Sequence, residues 1–221
     1  MSFLTSTFVT AFEAVCLVRC ARPVLQPETR RLSSRPVATQ SAAVAEFDRE
    51  DASQRLTDLL ACLGYHARAE ERDGGGVRRY AVQQVTIAEP DRLAVDRMMV
   101  ASWQRGRQRL LGTDPLGHSS PHHAHRVVLA RAAWNAGLLV GRLRPRHGQL
   151  RIGIAEPDMV AILVRAARLL GVTASVSRRS GCFVVAVPES AAPTLAGYQT
   201  PVTPYARPTR IPHAQPDLAV A

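Results

Sequence analysis

Two stretches of the chain place apolar residues three and four apart. Leu56, Leu59, Leu60 and Leu63 form one, Val160, Leu163, Val164, Ala167 and Leu170 the other, and each spacing predicts a helix with one apolar face. An alternating segment precedes each helix, Val37 to Phe47 in one case and Gln149 to Ile154 in the other, and reads as a strand. Carboxylates near the helix starts, Asp48 to Asp51 and Glu156 to Asp158, can cap free N–H groups, and Pro157 suits a first turn. Gly64 and Gly171 act as stop signals. A hairpin follows each: His66 to Arg72 turning at Asp73-Gly74-Gly75-Gly76 into Val77 to Val85, and Thr173 to Arg179 turning at Ser180-Gly181 into Cys182 to Val187.

The two stretches are copies of one unit. Setting Leu63-Gly64-Tyr65 against Leu170-Gly171-Val172, an offset of 107 residues, also brings Asp51 onto Asp158, Leu56 onto Leu163, Ala67 onto Ala174 and Arg72 onto Arg179. A strand-helix-hairpin unit present twice implies an α+β fold of two pseudo-symmetric halves. Its mixed antiparallel sheets carry helices on one face and leave the other open. The halves fall at about 37–100 and 127–188, joined by a basic, His-rich connection over 101–126. Residues 1–36 read as a first helix, Phe8 to Cys20, and a loop carrying Pro23, Pro27 and Pro36. From 189 to 221 the prolines predict an extended or disordered tail.

Charge narrows the partners. All 28 basic residues are Arg, and the formal net charge of +10 favours a polyanion, since clustered cations release counterions on meeting phosphates. GC-rich codon usage accounts for Arg in place of Lys, but not for the excess over Asp and Glu. The stretch from Phe3 to Val18 is interrupted by Thr5, Ser6, Thr10 and Glu13 and lacks a basic flank, so neither a membrane span nor a secretory signal is expected and the localisation expected is cytoplasmic, or with the nucleoid. Cys16, Cys20, Cys62 and Cys182 make no C-x-x-C pair and are expected as free thiols, without disulfides or zinc.

Ahead of the second copy lies Val127 to Leu143, VVLARAAWNAGLLVGRL, whose end, Ala136-Gly137-Leu138-Leu139-Val140-Gly141-Arg142-Leu143, resembles the decayed motif helix of a LAGLIDADG half. The succession of this helix, a strand, a helix ending in Leu-Gly and a hairpin is similar to the N-terminal region of the WhiA sporulation regulators, over about residues 40–190. The resemblance implies the LAGLIDADG-like fold, association with duplex DNA, and a non-catalytic role in transcription during sporulation or cell division. No counterpart of the family's helix-turn-helix region is present in these residues, and Phe8 to Cys20 lacks the motif's glycines.

A LAGLIDADG nuclease holds divalent ions with an acid at the foot of each motif helix. Those places hold Val140, Gly141 and Arg142 in one half and Val18, Arg19, Cys20 and Ala21 in the other, so no enzyme, no metal site and no cofactor are expected. His118, His122, His123 and His125 offer ligand atoms, with Asp114 the only acid nearby, and read instead as a solvated loop. Neither a nucleophile elbow nor a small-molecule site is recognisable. Gly74-Gly75-Gly76 is a turn rather than an anion site, since no helix starts after it. Trp134 reads as core, and Trp103, beside Arg105, as either core or a stacking surface.

Across the open face of such a fold, the cations expected on phosphate are Arg72, Arg78 and Arg79 on the first hairpin and Arg178 and Arg179 on the second. Arg142, Arg144, Arg146 and Arg151 follow the motif helix, and Arg105 and Arg107 lie in the connection. The competing expectations are a protein-interaction module docking a transcription factor, with the Pro-rich tail as a flexible contact, and a diverged paralogue that no longer binds DNA.

Overall fold

The computed structural model describes residues 2–21, 42–74, 80–112, 121–141 and 148–196. Twelve elements among them repeat one order twice. The first half runs α1 (Ser2–Cys20), β1 (Ala42–Phe47), α2 (Glu50–Cys62), β2 (Ala67–Gly74), β3 (Tyr80–Ile87) and α3 (Glu89–Leu111). The second runs α4 (Pro121–Val140), β4 (Gln149–Ile154), α5 (Pro157–Leu169), β5 (Ser175–Arg179) and β6 (Cys182–Pro188), then a 3-10 turn, Glu189–Ala191, and the short α6 (Ala192–Ala196). Each half holds an antiparallel three-stranded sheet with the hairpin's second strand at its centre, β1-β3-β2 and β4-β6-β5.

The elements form where apolar spacing and turn chemistry agree. Leu56, Leu59 and Leu60 on α2, and Val160, Leu163, Ala166 and Ala167 on α5, are buried against the sheets. Gly64 and Gly171 end these helices at φ of 85° and 75°, a conformation costly for a residue with a Cβ. The N-cap residues themselves form no such cap. Arg49 and Glu156 are the N-caps and neither makes a side-chain cap bond. The carboxylates bind cations instead, Asp51 with Arg49 and Glu156 with Arg19. Asp158 in the first turn of α5 likewise pairs with Arg107, and Glu50 in the first turn of α2 acts through the helix dipole.

α1 and α4 lie side by side at the centre. Ala11 and Ala14 on α1, and Ala130, Ala132, Ala133 and Ala136 on α4, are buried, and these small side chains let the helices approach closely. Phe12 and Leu17 fill the spaces around them, as does Trp134, whose indole N–H donates to the Leu163 carbonyl at 3.1 Å. Trp103 is core as well. It lies parallel to Phe12 at 6.4 Å, with the Arg19 guanidinium over its ring at 4.0 Å, and offers no stacking surface.

Three segments expected as irregular are helical. α3 continues to Leu111, so Trp103, Arg105 and Arg107 sit on a helix packed against α1, because Val95, Met99, Trp103 and Leu110 keep an apolar face through the basic sequence. α4 starts at Pro121, so His122, His123 and His125 occupy its first turns; His118 lies outside the described residues. Glu189–Ala196 is helical and buries Leu195, whereas the rest of the expected tail lies outside the described residues.

Two glycines mark the tightest approaches. A Cβ on Gly106 would land in the Phe12 ring, and one on Gly141 would meet Ile152 and the Gly137 carbonyl. Gly106→Ala and Gly141→Ala should each cost about 1–3 kcal/mol by overpacking. Gly153→Ala, which meets nothing within 4 Å, should stay within about 0.5 kcal/mol in the same urea denaturation series.

Candidate nucleic-acid interface

Strand register decides which side chains face the helices. Ala45, Phe47, Val85 and Ile87 in the first sheet, and Leu150, Ile152, Ile154, Val185 and Val187 in the second, belong to the core. The alternate positions face the other way. Arg68 pairs with Thr86, Glu70 with Gln84 and Arg72 with Val82, which places Arg68 and Arg72 on the open face of the first sheet. Arg151 pairs with Ala186 and Arg179 with Cys182, which places both on the open face of the second. Arg178 pairs with Phe183 and so leaves β5 on the opposite side. Among the described residues no helix packs on these open faces.

The sheets differ in charge. The strands of the second carry Arg151, Arg178 and Arg179 and no carboxylate. Those of the first carry Arg68 and Arg72 with Glu46, Glu70, Glu71 and Asp73. Arg72 lies 3.8 Å from Glu70, and Gln84 donates to Glu46 at 3.0 Å, so part of the polar capacity of the first open face is turned inward. Ser175 and Ser177 line the second open face beside its arginines.

The other cations selected from sequence do not join this surface. Arg105 lies over the Phe8 ring at 4.9 Å, and Arg107 reaches Asp158 at 3.5 Å, both on the helical side. Arg78, Arg79, Arg142, Arg144 and Arg146 lie outside the described residues. Arg68 was missed; its signal was period-two spacing with Arg72, which shares a face along one strand.

At the foot of α1 the structure brings in acids that the local sequence lacks. Glu156, at the start of α5, accepts a hydrogen bond from Arg19, and Asp158 reaches Arg107 close by. Burial lowers the Arg19 guanidinium from its ordinary range, and the Asp158 charge opposes that. Farther up α1, buried Glu13 accepts from Arg55 at 2.8 Å. Burial raises the Cys16 and Cys20 thiols, the latter to about 12, while Cys62 is exposed and Cys182 part-buried. Among the described residues no three His, Cys, Asp or Glu side chains gather as a metal site, and no helix is long and apolar enough to cross a membrane.

His125 stacks on Phe8 at 5.7 Å. Desolvation lowers its pKa, helped by Arg109, Arg105 and His122. A folded-state pKa below the unfolded value near 6.5 means that stability is complete above that pH and is lost as pH falls through it toward the folded value. His125→Phe, which keeps a ring on Phe8, should therefore lose less melting temperature than the native chain between about pH 7 and pH 5.

No protein-family model and no curated protein matches the chain. Among solved structures, the N-terminal LAGLIDADG domain of WhiA superposes with a TM-score of 0.51 at 11% identity, covering 89% of this chain and 85% of that one. Full-length WhiA from Thermatoga maritima gives 0.53 at 12%, covering 86% of this chain, which spans about half (54%) of that protein. A variant of I-DmoI in complex with its target DNA in the presence of Mn gives 0.54 at 12%, covering 89% and 98%. At these identities the likeness is of fold: two LAGLIDADG-like halves, each an antiparallel sheet with helices on one face. The expectation of no enzyme is corrected here, because I-DmoI is a homing endonuclease and the shared fold is consistent with nuclease activity. The motif helices carry no acid at their feet, but folding brings Glu156 and Asp158 to the foot of α1 from another element.

Proposed function

We propose that this chain binds duplex DNA across the open faces of its two sheets and acts in transcription regulation. The observation that carries the first part is the second open face, where Arg151 and Arg179 stand beside Ser175 and Ser177 with no carboxylate on any strand of that sheet. Phosphate is the natural counterpart of such a surface, since guanidinium groups engage phosphate oxygens in paired hydrogen bonds and serines add neutral donors. I-DmoI was solved with DNA, which supports the same use of the fold. The regulatory part, with sporulation or cell division as its setting, rests on the WhiA resemblance. Arg142, Arg144 and Arg146 belong to the same proposal through their place in sequence beside the second sheet.

The two halves should not contribute equally. Each phosphate contact adds about 0.9 to the slope of log affinity against log salt. Replacing Arg151 and Arg179 together by Ser should reduce that slope by about 2, measured with a fluorescent duplex between roughly 50 and 200 mM salt. Replacing Arg68 and Arg72 should reduce it by about 1 or less, because Glu70 already faces Arg72. Native chain that leaves the duplex unbound at the lower salt contradicts the proposal. Running the bound duplex on a denaturing gel scores strand scission in the same samples.

A further inference from the structure

A second group of cations lies at the other end of the central helix pair. Phe8 on α1 is covered by the Arg105 and Arg109 guanidiniums of α3, at 4.9 and 5.5 Å from its ring centre, and by the stacked imidazole of His125 on α4 at 5.7 Å. His122, one turn earlier on α4, is exposed and adds to the field at His125. Three cationic or titratable groups from two helices thus meet around one aromatic ring, with His122 beside them. The start of α4, a 20-residue helix, adds its positive dipole end.

What distinguishes the cluster is that no carboxylate among the described residues pairs with its arginines. Arg19 and Arg107, on the same two helices as Phe8 and Arg109, each have a carboxylate partner, Glu156 and Asp158. Arg105 and Arg109 have no carboxylate partner among the described residues. Burial and Arg105 together lower the Arg109 guanidinium from its ordinary range, and the repulsion shared by these groups is relieved when an anion arrives.

The cluster is remote from the open sheets. Gly141, at the far end of α4, touches Ile152 of β4, whereas His125 stands near the helix start, roughly 24 Å away at about 1.5 Å per residue. α3 packs on α1, α4 and α5 rather than on any strand. A duplex on the open faces lies beyond the sheets and does not reach these side chains.

We infer that Arg105, Arg109, His122 and His125 around Phe8 form a separate docking surface for an acidic peptide segment of a partner protein. Carboxylates would bind the two guanidiniums, and an apolar side chain would rest on Val128, three residues beyond His125 on α4 and 44% exposed. This mixture of apolar and cationic groups favours a peptide over a phosphodiester backbone, which has no apolar side chains to place there. Anion binding favours the charged imidazole, so affinity rises as pH falls through the His range.

The test uses the full chain and a short fluorescent peptide alternating Glu and Leu, with a Gln and Leu counterpart. The acidic peptide should bind and the counterpart should not. Arg105→Ser with Arg109→Ser should weaken binding about tenfold or more, the loss of two charge-assisted bonds. Binding should tighten from about pH 8 to pH 6, and His125→Gln should flatten that dependence. Arg151→Ser with Arg179→Ser should leave peptide binding unchanged, which separates this surface from the DNA face. Arg105→Glu, at an exposed position, is the second variant, with thermal melting as the check on folding. Equal binding of both peptides, no binding, insensitivity to Arg105 and Arg109, or loss through Arg151 and Arg179 would overturn the inference. Weaker duplex binding in the Arg105 and Arg109 variants would identify the surface as a nucleic-acid contact instead.

Discussion

Everything else in this molecule is placed by the contact between α1 and α4. Both helices bury alanines, Ala14, Ala132 and Ala133 among them, and a larger residue there would force the surrounding elements to shift, because close-packed helices cannot absorb extra methylenes without moving. That contact fixes the pseudo-two-fold relation between the sheets. It also sets which ends of the helices carry chemistry. The C-terminal ends abut the sheets, as Gly141 against Ile152 shows, and the N-terminal ends collect Phe8 and His125 on the opposite side. Two polar surfaces at the two ends of one apolar axis follow from a single packing choice.

The halves share a backbone but divide the charge unequally. On the first sheet Glu46 and Glu70 share the open face with Arg68 and Arg72, while the strands of the second carry no acid. A polyanion bound across both is therefore gripped mainly by one, and the other contributes shape and polar contacts. The WhiA and I-DmoI structures show that such a pair of halves is an established fold, and one of them was solved on DNA.

Much of the second half was legible from sequence because its pattern is local. The alternation over Gln149 to Ile154 and the three-four spacing from Val160 to Leu170 reappear as β4 and α5, and the offset of the repeat carried the same order onto β1, α2 and the first hairpin. What was hidden depends on partners distant in sequence. α3 read as a basic connection because Arg105, Arg107 and Arg109 mask the apolar face of Val95, Met99, Trp103 and Leu110. Cap bonds expected of the carboxylates were lost to arginines elsewhere, Glu156 being taken by Arg19 across 137 positions. That same long-range contact explains why acids at the foot of α1 were invisible to an inspection of the motif helices alone. Of the arginines selected for DNA, Arg72 lies on the open face of the first sheet and Arg151 and Arg179 on that of the second, and strand alternation sends Arg178 to the other side.

The claim that the open faces hold the duplex can be tested on the native chain through its own thiols. Cys182 sits opposite Arg179 on the open face of β6, whereas Cys62 is exposed at the end of α2 on the helical side, and Cys16 and Cys20 have thiols raised by burial. Alkylation of the folded protein is followed by peptide mass mapping, with and without saturating duplex DNA. The account predicts that DNA slows modification of Cys182 and leaves Cys62 unaffected. Modification of Cys182 at an unchanged rate in the DNA complex, or protection of Cys62 in its place, would contradict it.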